Sequence, residues 1–277
     1  MGLTSVSVSW RKPPGVDQAS YLLTLNSDGD CMQTISVKST QHQFTELDIG
    51  REYSVSVSMV LQENYSKPIC NTIYIRIPVP ENVIVGSVTA TSADLSWSLQ
   101  QGMQKIPHRF LISYCSEETE PQTMSTESYS ATLTGLQPDT QYRINICCEL
   151  KDLDGQGEKD RKSKDTTITF QTAVPPPGPI EFTSVMPDSV CLRWGPPEGL
   201  TRPHTFRVSW AGKGIQEQQD MPCLQFETDG LAVGEEYTFT VTTVSEDREG
   251  PSVSKTVLTG LTSEFLQKFG NEIQYKL

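Results

Sequence analysis

The chain has 277 residues and a net charge of −12 at pH 7, from 34 acidic and 22 basic side chains, and 36% of its residues are hydrophobic. Its length exceeds that of one typical domain, so we expect several domains, each large enough to bury a core. The acidic balance argues against a nucleic-acid partner and against an anionic membrane surface, because both would need clustered Lys and Arg.

The first block of the chain opens with a strand pattern that ends in a tryptophan. Apolar side chains occupy every second position from Val6 to Trp10, and this period of two indicates a half-buried strand. A second alternating run begins at Tyr21. Further along, Leu47 precedes Tyr53 by six residues, and Tyr53 begins another alternating strand.

The same three landmarks recur in two further blocks. In each block the Tyr follows the Trp by about 44 residues and follows the Leu by six. A repeat of roughly 90 residues with strands inside it predicts a row of separate β-domains. The landmarks, which we expect to form the structural cores, are Trp10, Leu47 and Tyr53; Trp97, Leu136 and Tyr142; and Trp194, Leu231 and Tyr237.

Together these residues resemble the fibronectin type III family, which has a Trp on its second strand and an LxPxxxY element before its sixth. The middle block matches that element fully through Leu136, Pro138 and Tyr142, whereas Ile49 and Val233 replace the Pro in the outer blocks. The resemblance implies an all-β fold of three tandem, immunoglobulin-like β-sandwiches. Each Tyr is expected to form a tyrosine corner, in which the ring is buried and the hydroxyl bonds to backbone a few residues upstream.

Two proline-rich segments, residues 77–80 and 174–179, mark the joints between the blocks. Proline stops strand pairing there because it lacks an N–H donor. The first block begins almost at its Trp strand, so we expect its opening strand to be short or missing. The predicted domains are residues 1–78, 79–174 and 175–260, and a tail over 261–277 follows them.

The tail has a different pattern. A hydroxyl-bearing cap precedes Phe265, Leu266 and Phe269, which share one stripe of a predicted short amphipathic helix. This stripe is a candidate partner-binding surface; it could also pack on the third domain or begin a further one. The last 13 residues resemble the helical segment that opens fish proteins of the very large interferon-inducible GTPase group. That resemblance implies the arm of an intracellular immune protein.

The cysteines do not follow the repeat, although a secreted disulfide framework normally would. They are Cys31, Cys70, Cys115, Cys147, Cys148, Cys191 and Cys223. This odd, irregular set favours a reducing, cytoplasmic setting. Strand alternation predicts Cys148 inside a core and both Cys147 and Cys191 as outward free thiols. Pairing of Cys31 with Cys70, and of Cys191 with Cys223, stays open.

One observation favours an extracellular setting instead. Asn64, Tyr65 and Ser66 match the acceptor pattern for N-glycosylation, in the loop after the Tyr53 strand. We therefore treat Asn64 as a candidate glycosylation site.

The sequence predicts no catalytic site. The motifs of phosphate cradles, nucleophile elbows and zinc hydrolysis are absent from it. Its three histidines, His42, His108 and His204, have no Cys or His partner at metal-ligand spacing. We therefore expect no enzymatic activity, no cofactor and no metal in this segment.

Three further features are candidates for protein binding. Lys159, Arg161 and Lys162 lie in a basic run, for which a solvated loop is the alternative. Trp210 lies outside the repeat; its phase predicts a packed sheet face, whereas an exposed ring would be a binding hot spot. The incomplete first domain leaves an open strand edge through which two copies could associate.

These patterns favour a non-catalytic arm that binds protein partners and spaces other parts of a larger cytoplasmic, immune-related protein. No run of about 18 apolar residues is present, so we expect no direct membrane insertion. The alternative is a fragment of an extracellular receptor or adhesion ectodomain with the same fold.

Overall fold

A computed structural model of the chain describes residues 4–16, 18–151 and 161–260. The first sandwich contains β1 (Val6–Ser9), β2 (Ser20–Ser27), β3 (Asp30–Val37), β4 (Gln41–Phe44), β5 (Glu52–Leu61), β6 (Asn64–Tyr65) and β7 (Ile69–Tyr74). The second contains β8 (Glu81–Val88), β9 (Ser92–Ser98), β10 (His108–Cys115), β11 (Gln122–Thr126), β12 (Ser130–Thr134), β13 (Gln141–Leu150) and β14 (Thr166–Gln171). The third contains β15 (Ile180–Val185), β16 (Val190–Trp194), β17 (Thr205–Gly212), β18 (Ile215–Met221), β19 (Gln225–Thr228), β20 (Glu236–Ser245), β21 (Arg248–Glu249) and β22 (Val253–Leu258).

Each sandwich packs a larger antiparallel sheet on a smaller one. The larger sheets have the strand orders β3-β2-β5-β7, β11-β10-β13-β14 and β18-β17-β20-β22, and β6 and β21 extend the first and third of them. The smaller sheets are β1-β4, β12-β9-β8 and β15-β16-β19. Within the described residues, the first sandwich therefore has no strand at the place of β8 and β15. The predicted all-β fold is confirmed; one short 3₁₀ helix, Met103–Lys105, interrupts it. The predicted C-terminal helix lies outside the described residues.

A tryptophan packs edge-on against an aromatic ring of the facing sheet in every sandwich. The ring centroids of Trp10 and Tyr21 and of Trp97 and Phe110 are 5.2 Å apart, and those of Trp194 and Phe206 are 5.5 Å apart. Such T-shaped pairs stabilise a core beyond the apolar area that they bury. The alternation of apolar residues in the sequence thus places an equivalent aromatic pair in each of the three sandwiches.

The three predicted tyrosine corners are present. The hydroxyl oxygen of Tyr53 accepts a hydrogen bond from the backbone N–H of Asp48 at 2.9 Å. The same bond joins Tyr142 to Gln137 at 2.9 Å and Tyr237 to Ala232 at 3.0 Å. A buried phenol oxygen needs such a partner, and this one pins the connection between the two sheets.

In each tyrosine corner, the third residue after the Leu has a left-handed backbone conformation. Gly50 and Gly234 supply it in the outer sandwiches, with φ angles of 75° and 70°. In the middle sandwich the residue at this place is Asp139, with φ 48°. Glycine adopts this conformation without strain and Asp tolerates it better than most residues. The middle turn therefore differs from its two copies by one acidic side chain.

Trp210 is a core residue of the third sandwich and not a surface hot spot. Its side chain is 7% exposed, and its ring lies 4.9 Å from that of Phe226. Trp210 lies two residues after Val208 and four after Phe206, both buried, so strand alternation directs its ring into the core as well. The alternative of a partner-binding Trp210 is therefore wrong.

All seven cysteines are free thiols in the structure. Cys31 lies on β3 and Cys70 on β7, on opposite sides of the β2–β5 pair in one five-stranded sheet. Three strand spacings of about 4.8 Å separate them, so a disulfide, which needs Cα atoms within about 7 Å, cannot form. Cys191 lies opposite Glu227, four residues beyond Cys223. About 13 Å of strand separates that second pair, so it cannot form either.

Cys147 is a free thiol, as predicted, but it is buried rather than exposed. It lies on the outer face of its sheet, where Asp165 and Lys162 from the returning chain lie beside it. Burial raises the pKa of Cys147 to about 11 and that of its core neighbour Cys148 to about 12. Both thiols therefore stay protonated and unreactive at neutral pH.

Candidate functional site

The hairpin that follows each long central strand has equivalent positions in the three sandwiches. Counting eight residues from the corner Tyr reaches the strand ends Leu61, Leu150 and Ser245. A conserved backbone bond fixes the returning chain in the same register: the N–H groups of Ser66, Ser163 and Gly250 donate to the carbonyls of Met59, Cys148 and Thr243. By this register Asn64, Arg161 and Arg248 are equivalent to one another. We call these segments the hairpin tips.

The hairpin tip of the third sandwich grips the corner turn of the second. The Ser245 hydroxyl donates to Asp139 Oδ2 at 2.6 Å, and Arg248 donates to Asp139 Oδ1 at 2.5 Å. The other guanidinium nitrogen of Arg248 donates to the carbonyl of Thr172 at 2.9 Å. A further donor from the middle sandwich, the amide of Gln171, reaches Asp139 Oδ1 at 3.0 Å. We call this group, Asp139 with Ser245, Arg248 and the Thr172 carbonyl, the Asp139 clasp.

Burial makes the Asp139 clasp a specific contact. Asp139 is only 3% exposed, and a buried carboxylate is costly unless hydrogen bonds and a counter-charge compensate it. Ser245 is 2% exposed, whereas the Arg248 side chain keeps about a third of its surface in solvent. The carboxylate therefore finds all its partners only when the second and third sandwiches are docked.

The linker between these two sandwiches lies directly against the hairpin tip. A Cβ atom at Gly250 would lie 2.7 Å from the carbonyl oxygen of Pro175 and 2.8 Å from that of Val174. Real Cβ atoms do not approach oxygen so closely, so only glycine fits here without displacing the chain. On the other side, Pro138 of the corner turn borders Gly199 of the third sandwich. The junction is thus closely packed on both sides of the clasp.

The junction between the first two sandwiches uses the same positions with apolar chemistry. A Cβ atom at Gly50 would lie 3.1 Å from a methyl carbon of Leu150 and 3.2 Å from one of Ile77. Leu150 and Ile77 are buried, as is Ile49 beside the glycine. The buried apolar residues of the first two sandwiches consequently form one continuous cluster, whereas those of the third form a separate one.

The basic run of the sequence lies partly at the hairpin tip of the middle sandwich. Arg161 is half-buried, and its carbonyl accepts a bond from Leu150 N–H at 2.9 Å. Lys162 forms an ion pair with Glu149 at 3.6 Å. Lys159 and the tail residues Phe265, Leu266 and Phe269 lie outside the described residues. Partner binding through these side chains stays a prediction.

Asn64 is exposed at the hairpin tip of the first sandwich. Its side-chain amide donates to the carbonyl of Gln62 at 3.1 Å across the turn. Leu61, which pairs with it, and the adjacent Tyr65 are exposed apolar residues. The acceptor nitrogen of the candidate glycosylation site is therefore at the surface.

Sequence reasoning missed the Asp139 clasp. The available signal was the acidic residue at a turn position that holds Gly in the other two copies. A second signal was the polar Ser245 at a strand end that holds Leu in the other two. Each difference is unremarkable alone, and only the fold shows that the two side chains meet.

The described ranges contain no group of three His, Cys, Asp or Glu side chains placed to hold a metal ion. In the same part of the chain, no helix combines the length and apolar character needed to span a bilayer.

Comparison with known proteins gives concordant results. The family described as Fibronectin type III domain matches residues 2–72, 78–169 and 175–258. Tenascin-R of Gallus gallus is 26% identical over 272 residues, which is 94% of this chain and 18% of the relative. Receptor-type tyrosine-protein phosphatase H of Homo sapiens is 24% identical over 265 residues, 94% of this chain and 23% of the relative. The chain thus spans about a fifth of the length of these relatives.

A solved structure agrees with the sequence relatives. The two fibronectin type-III domain segment from chicken tenascin is 25% identical to the chain, with a TM-score of 0.50. The likeness covers 65% of this chain and 99% of that one. None of these matches supports the resemblance of the last 13 residues to interferon-inducible GTPases.

Proposed function

Because the chain belongs to the fibronectin type III family, we propose that it is a non-catalytic, protein-binding spacer arm in a protein of the extracellular matrix or cell surface. Its relatives are mostly proteins of these two locations. They are also generally non-enzymatic, although one is a phosphatase by name. The expectation of a cytoplasmic, immune-related arm draws no support from these relatives, and they favour the alternative of an ectodomain fragment.

The free thiols do not oppose this location. Each sandwich has its own aromatic core pair and its own tyrosine corner, and both stabilise it without a cross-link. A fold that is stable in this way needs no disulfide in either compartment. The irregular cysteine set is therefore compatible with the proposed setting.

The observation that carries the proposed spacing role is that contacts hold both joints of the arm. The Asp139 clasp fixes the second joint through a buried charge, and the Gly50 turn with Leu150 and Ile77 fixes the first through apolar packing. The linkers add stiffness, since proline fixes φ and favours extended backbone. An arm held in this way presents its surfaces at set distances.

The location is tested on cells that express the parent protein. A membrane-impermeant label applied to intact cells should modify this segment, and mass spectrometry of the natural protein should find a glycan on the peptide that contains Asn64. Labelling only after the cells are permeabilised, with Asn64 unmodified, would show that the segment faces the cytoplasm.

The spacing role is tested with spin labels on native cysteines of the purified chain. Cys70, Cys115 and Cys223 lie on the first, second and third sandwiches and none of them is buried. Cys31 and Cys191 are replaced by Ser, and Cys147 and Cys148 do not react because their pKa values are raised. We expect narrow distance distributions from Cys70 to Cys115 and from Cys115 to Cys223. Broad distributions at both joints would rule out a rigid spacer.

A further inference from the structure

A groove with a volume of about 790 Å³ lies between the second and third sandwiches, beside the linker that joins them. Its walls are the turn after β8 and the corner turn of the second sandwich, the linker itself, and the loop after β16 of the third. All of these residues lie in the interior of the chain and in its described part. A volume of this size is typical of ligand sites in proteins.

Backbone contacts fix the walls of this groove. The N–H of Gly178 in the linker donates to the carbonyl of Gly195 at 2.9 Å. A Cβ atom at Gly178 would lie 2.6 Å from the Cα atom of Gly195, so the two backbones are in direct contact. The Asp139 clasp holds the same two sandwiches together. A ligand would therefore enter a preformed site, and little free energy would be lost in ordering it.

The groove is rich in hydrogen-bond acceptors and poor in donors. Six of its 14 lining residues are prolines, each of which has a carbonyl but no N–H. The N–H groups of four more already donate within the protein: Thr91 to the hydroxyl of Thr89, Leu136 to the carbonyl of Thr91, Gln137 to the hydroxyl of Tyr142, and Gly178 to the carbonyl of Gly195. These ten residues therefore offer no free N–H to a ligand.

The charge of the groove is also of one sign. Glu198 is exposed, and it is the one charged residue among those that line the groove. It has no ion-pair partner in the described part of the chain. Arg202, on the same loop, pairs with Glu118 across the joint at 4.0 Å. The net charge of −12 adds a negative field around the protein. Charge and hydrogen bonding therefore both favour a cationic ligand that has several donors.

We propose that this groove binds an Arg or Lys side chain on an extended segment of a protein partner. A guanidinium has five N–H donors and an ammonium has three, and prolyl carbonyls and the Glu198 carboxylate can accept them. The apolar stem of either side chain can pack on the proline rings. A metal ion fits less well, since it needs several oxygen ligands with charge and the lining has one carboxylate. The site would serve the proposed protein-binding role, on which this inference rests.

The experiment is an NMR titration of the isotope-labelled full chain with a short capped peptide, in which one central arginine lies between leucines and alanines. We expect the amide signals of Thr91 and Gln137 on one wall, and those of Gly178 and Gly199 on the other, to shift together. The dissociation constant should be of the order of 1 mM, because one side chain makes most of the contact. A matched peptide with glutamine in place of the arginine should bind more weakly. Salt should weaken the binding of the arginine peptide, since it screens exposed charges.

Substitutions of Glu198 test the charge directly. Glu198→Gln should lower the affinity for the arginine peptide about threefold and leave that for the glutamine peptide unchanged. Glu198→Lys should prevent binding of the arginine peptide. The matched control is Glu217→Gln, which removes the same charge from an exposed position on β18 that does not line the groove; it should bind like the parent. Both positions are exposed, so we expect the variants to fold.

Four outcomes would overturn the proposal: no shift of the groove signals at any peptide concentration, shifts only at other acidic surfaces, equal affinity for the arginine and glutamine peptides, or equal losses of affinity in Glu198→Gln and Glu217→Gln. None of them would alter the surface labelling, the glycan at Asn64 or the label distances that test the location and the spacing role. A failure of the groove is therefore distinguishable from a failure of the proposed function.

Discussion

The two joints of this arm hold equivalent positions together with opposite chemistry. At the first joint, the turn has Gly50 and the facing strand end has Leu150, and the contact is apolar. At the second joint, these places have Asp139 and Ser245, and the contact is a buried carboxylate with its donors. The sandwiches on either side have the same fold, so the difference lies in the side chains at the joints.

This difference shows that the residues of a junction change as a set. A carboxylate at Gly50 would face the methyl groups of Leu150 and Ile77, and a leucine at Ser245 would leave Asp139 with one donor fewer. Gly250 belongs to the same set, since the serine found at this place in the other copies would meet the linker carbonyls. Each joint is therefore specific to its own pair of neighbours.

The largest effect is expected from Leu150→Ser, which places the residue of the second joint in the first. Removing a buried leucine leaves a cavity and an unpaired hydroxyl, so the free energy of unfolding of the first two sandwiches should fall by about 3 kcal/mol. Chemical denaturation measures this. The matched control, Leu61→Ser, changes the same residue type at an exposed equivalent position and should cost less than about 0.5 kcal/mol. Equal losses would show that Leu150 does not contribute through the joint.

Next in size is Gly250→Ala at the second joint. The added Cβ would meet the carbonyl oxygens of Val174 and Pro175, so the linker must move. We expect this to lower the free energy of unfolding by about 2 kcal/mol. The distance distribution from Cys115 to Cys223 should shift. In the control Gly86→Ala, the nearest atoms to the new Cβ lie at 3.7 Å, and both stability and distances should stay unchanged. An unshifted distribution in the Gly250 variant would contradict the close approach of the linker.

Much of the fold could be predicted from the sequence, because each landmark acts within one repeat. Alternation gave the inner face of the strands, including the direction of Trp210, and the Leu-to-Tyr spacing of six gave the three tyrosine corners. The outward direction of Cys147 was also given, but its burial was not, since the returning chain near Asp165 covers that face.

The Asp139 clasp could not be predicted in the same way. Asp139 and Arg248 are 109 residues apart, and their contact depends on the angle between two sandwiches, which no periodicity within one repeat determines. Aligning the three copies with each other identifies Asp139 and Ser245 as exceptions. Which side chains those exceptions meet is a property of the docked pair.

A smaller effect is expected from Asp139→Gly, which gives the second joint the turn residue of the first. The clasp is lost, but glycine removes the left-handed strain at this position, and the Arg248 guanidinium can turn to solvent. We expect the free energy of unfolding to fall by about 1 kcal/mol and the distance distribution from Cys115 to Cys223 to broaden. The distribution from Cys70 to Cys115 should not change.

Asp139→Asn separates the charge from the hydrogen bonds of the clasp. Asn also tolerates the left-handed conformation and can still accept one bond, so this variant should lie between the parent and Asp139→Gly. If the distance distribution from Cys115 to Cys223 is as narrow in Asp139→Gly as in the parent, the linker prolines alone hold the two sandwiches and the clasp does not contribute.

The smallest expected effect distinguishes the joints without any substitution. Raising the salt concentration from about 0.1 to 1 M shortens the screening length from about 10 to 3 Å and weakens charge pairs that solvent reaches. Arg248 is partly exposed, so the contact between the second and third sandwiches should weaken. Because Asp139 itself is buried, the loss in the free energy of this contact should be less than about 0.5 kcal/mol. The first joint is apolar, so its distribution of label distances should keep its width or become narrower. The measurement is the distribution of label distances at both joints in one sample series. If both distributions broaden equally, the two contacts do not differ in chemistry as the structure indicates.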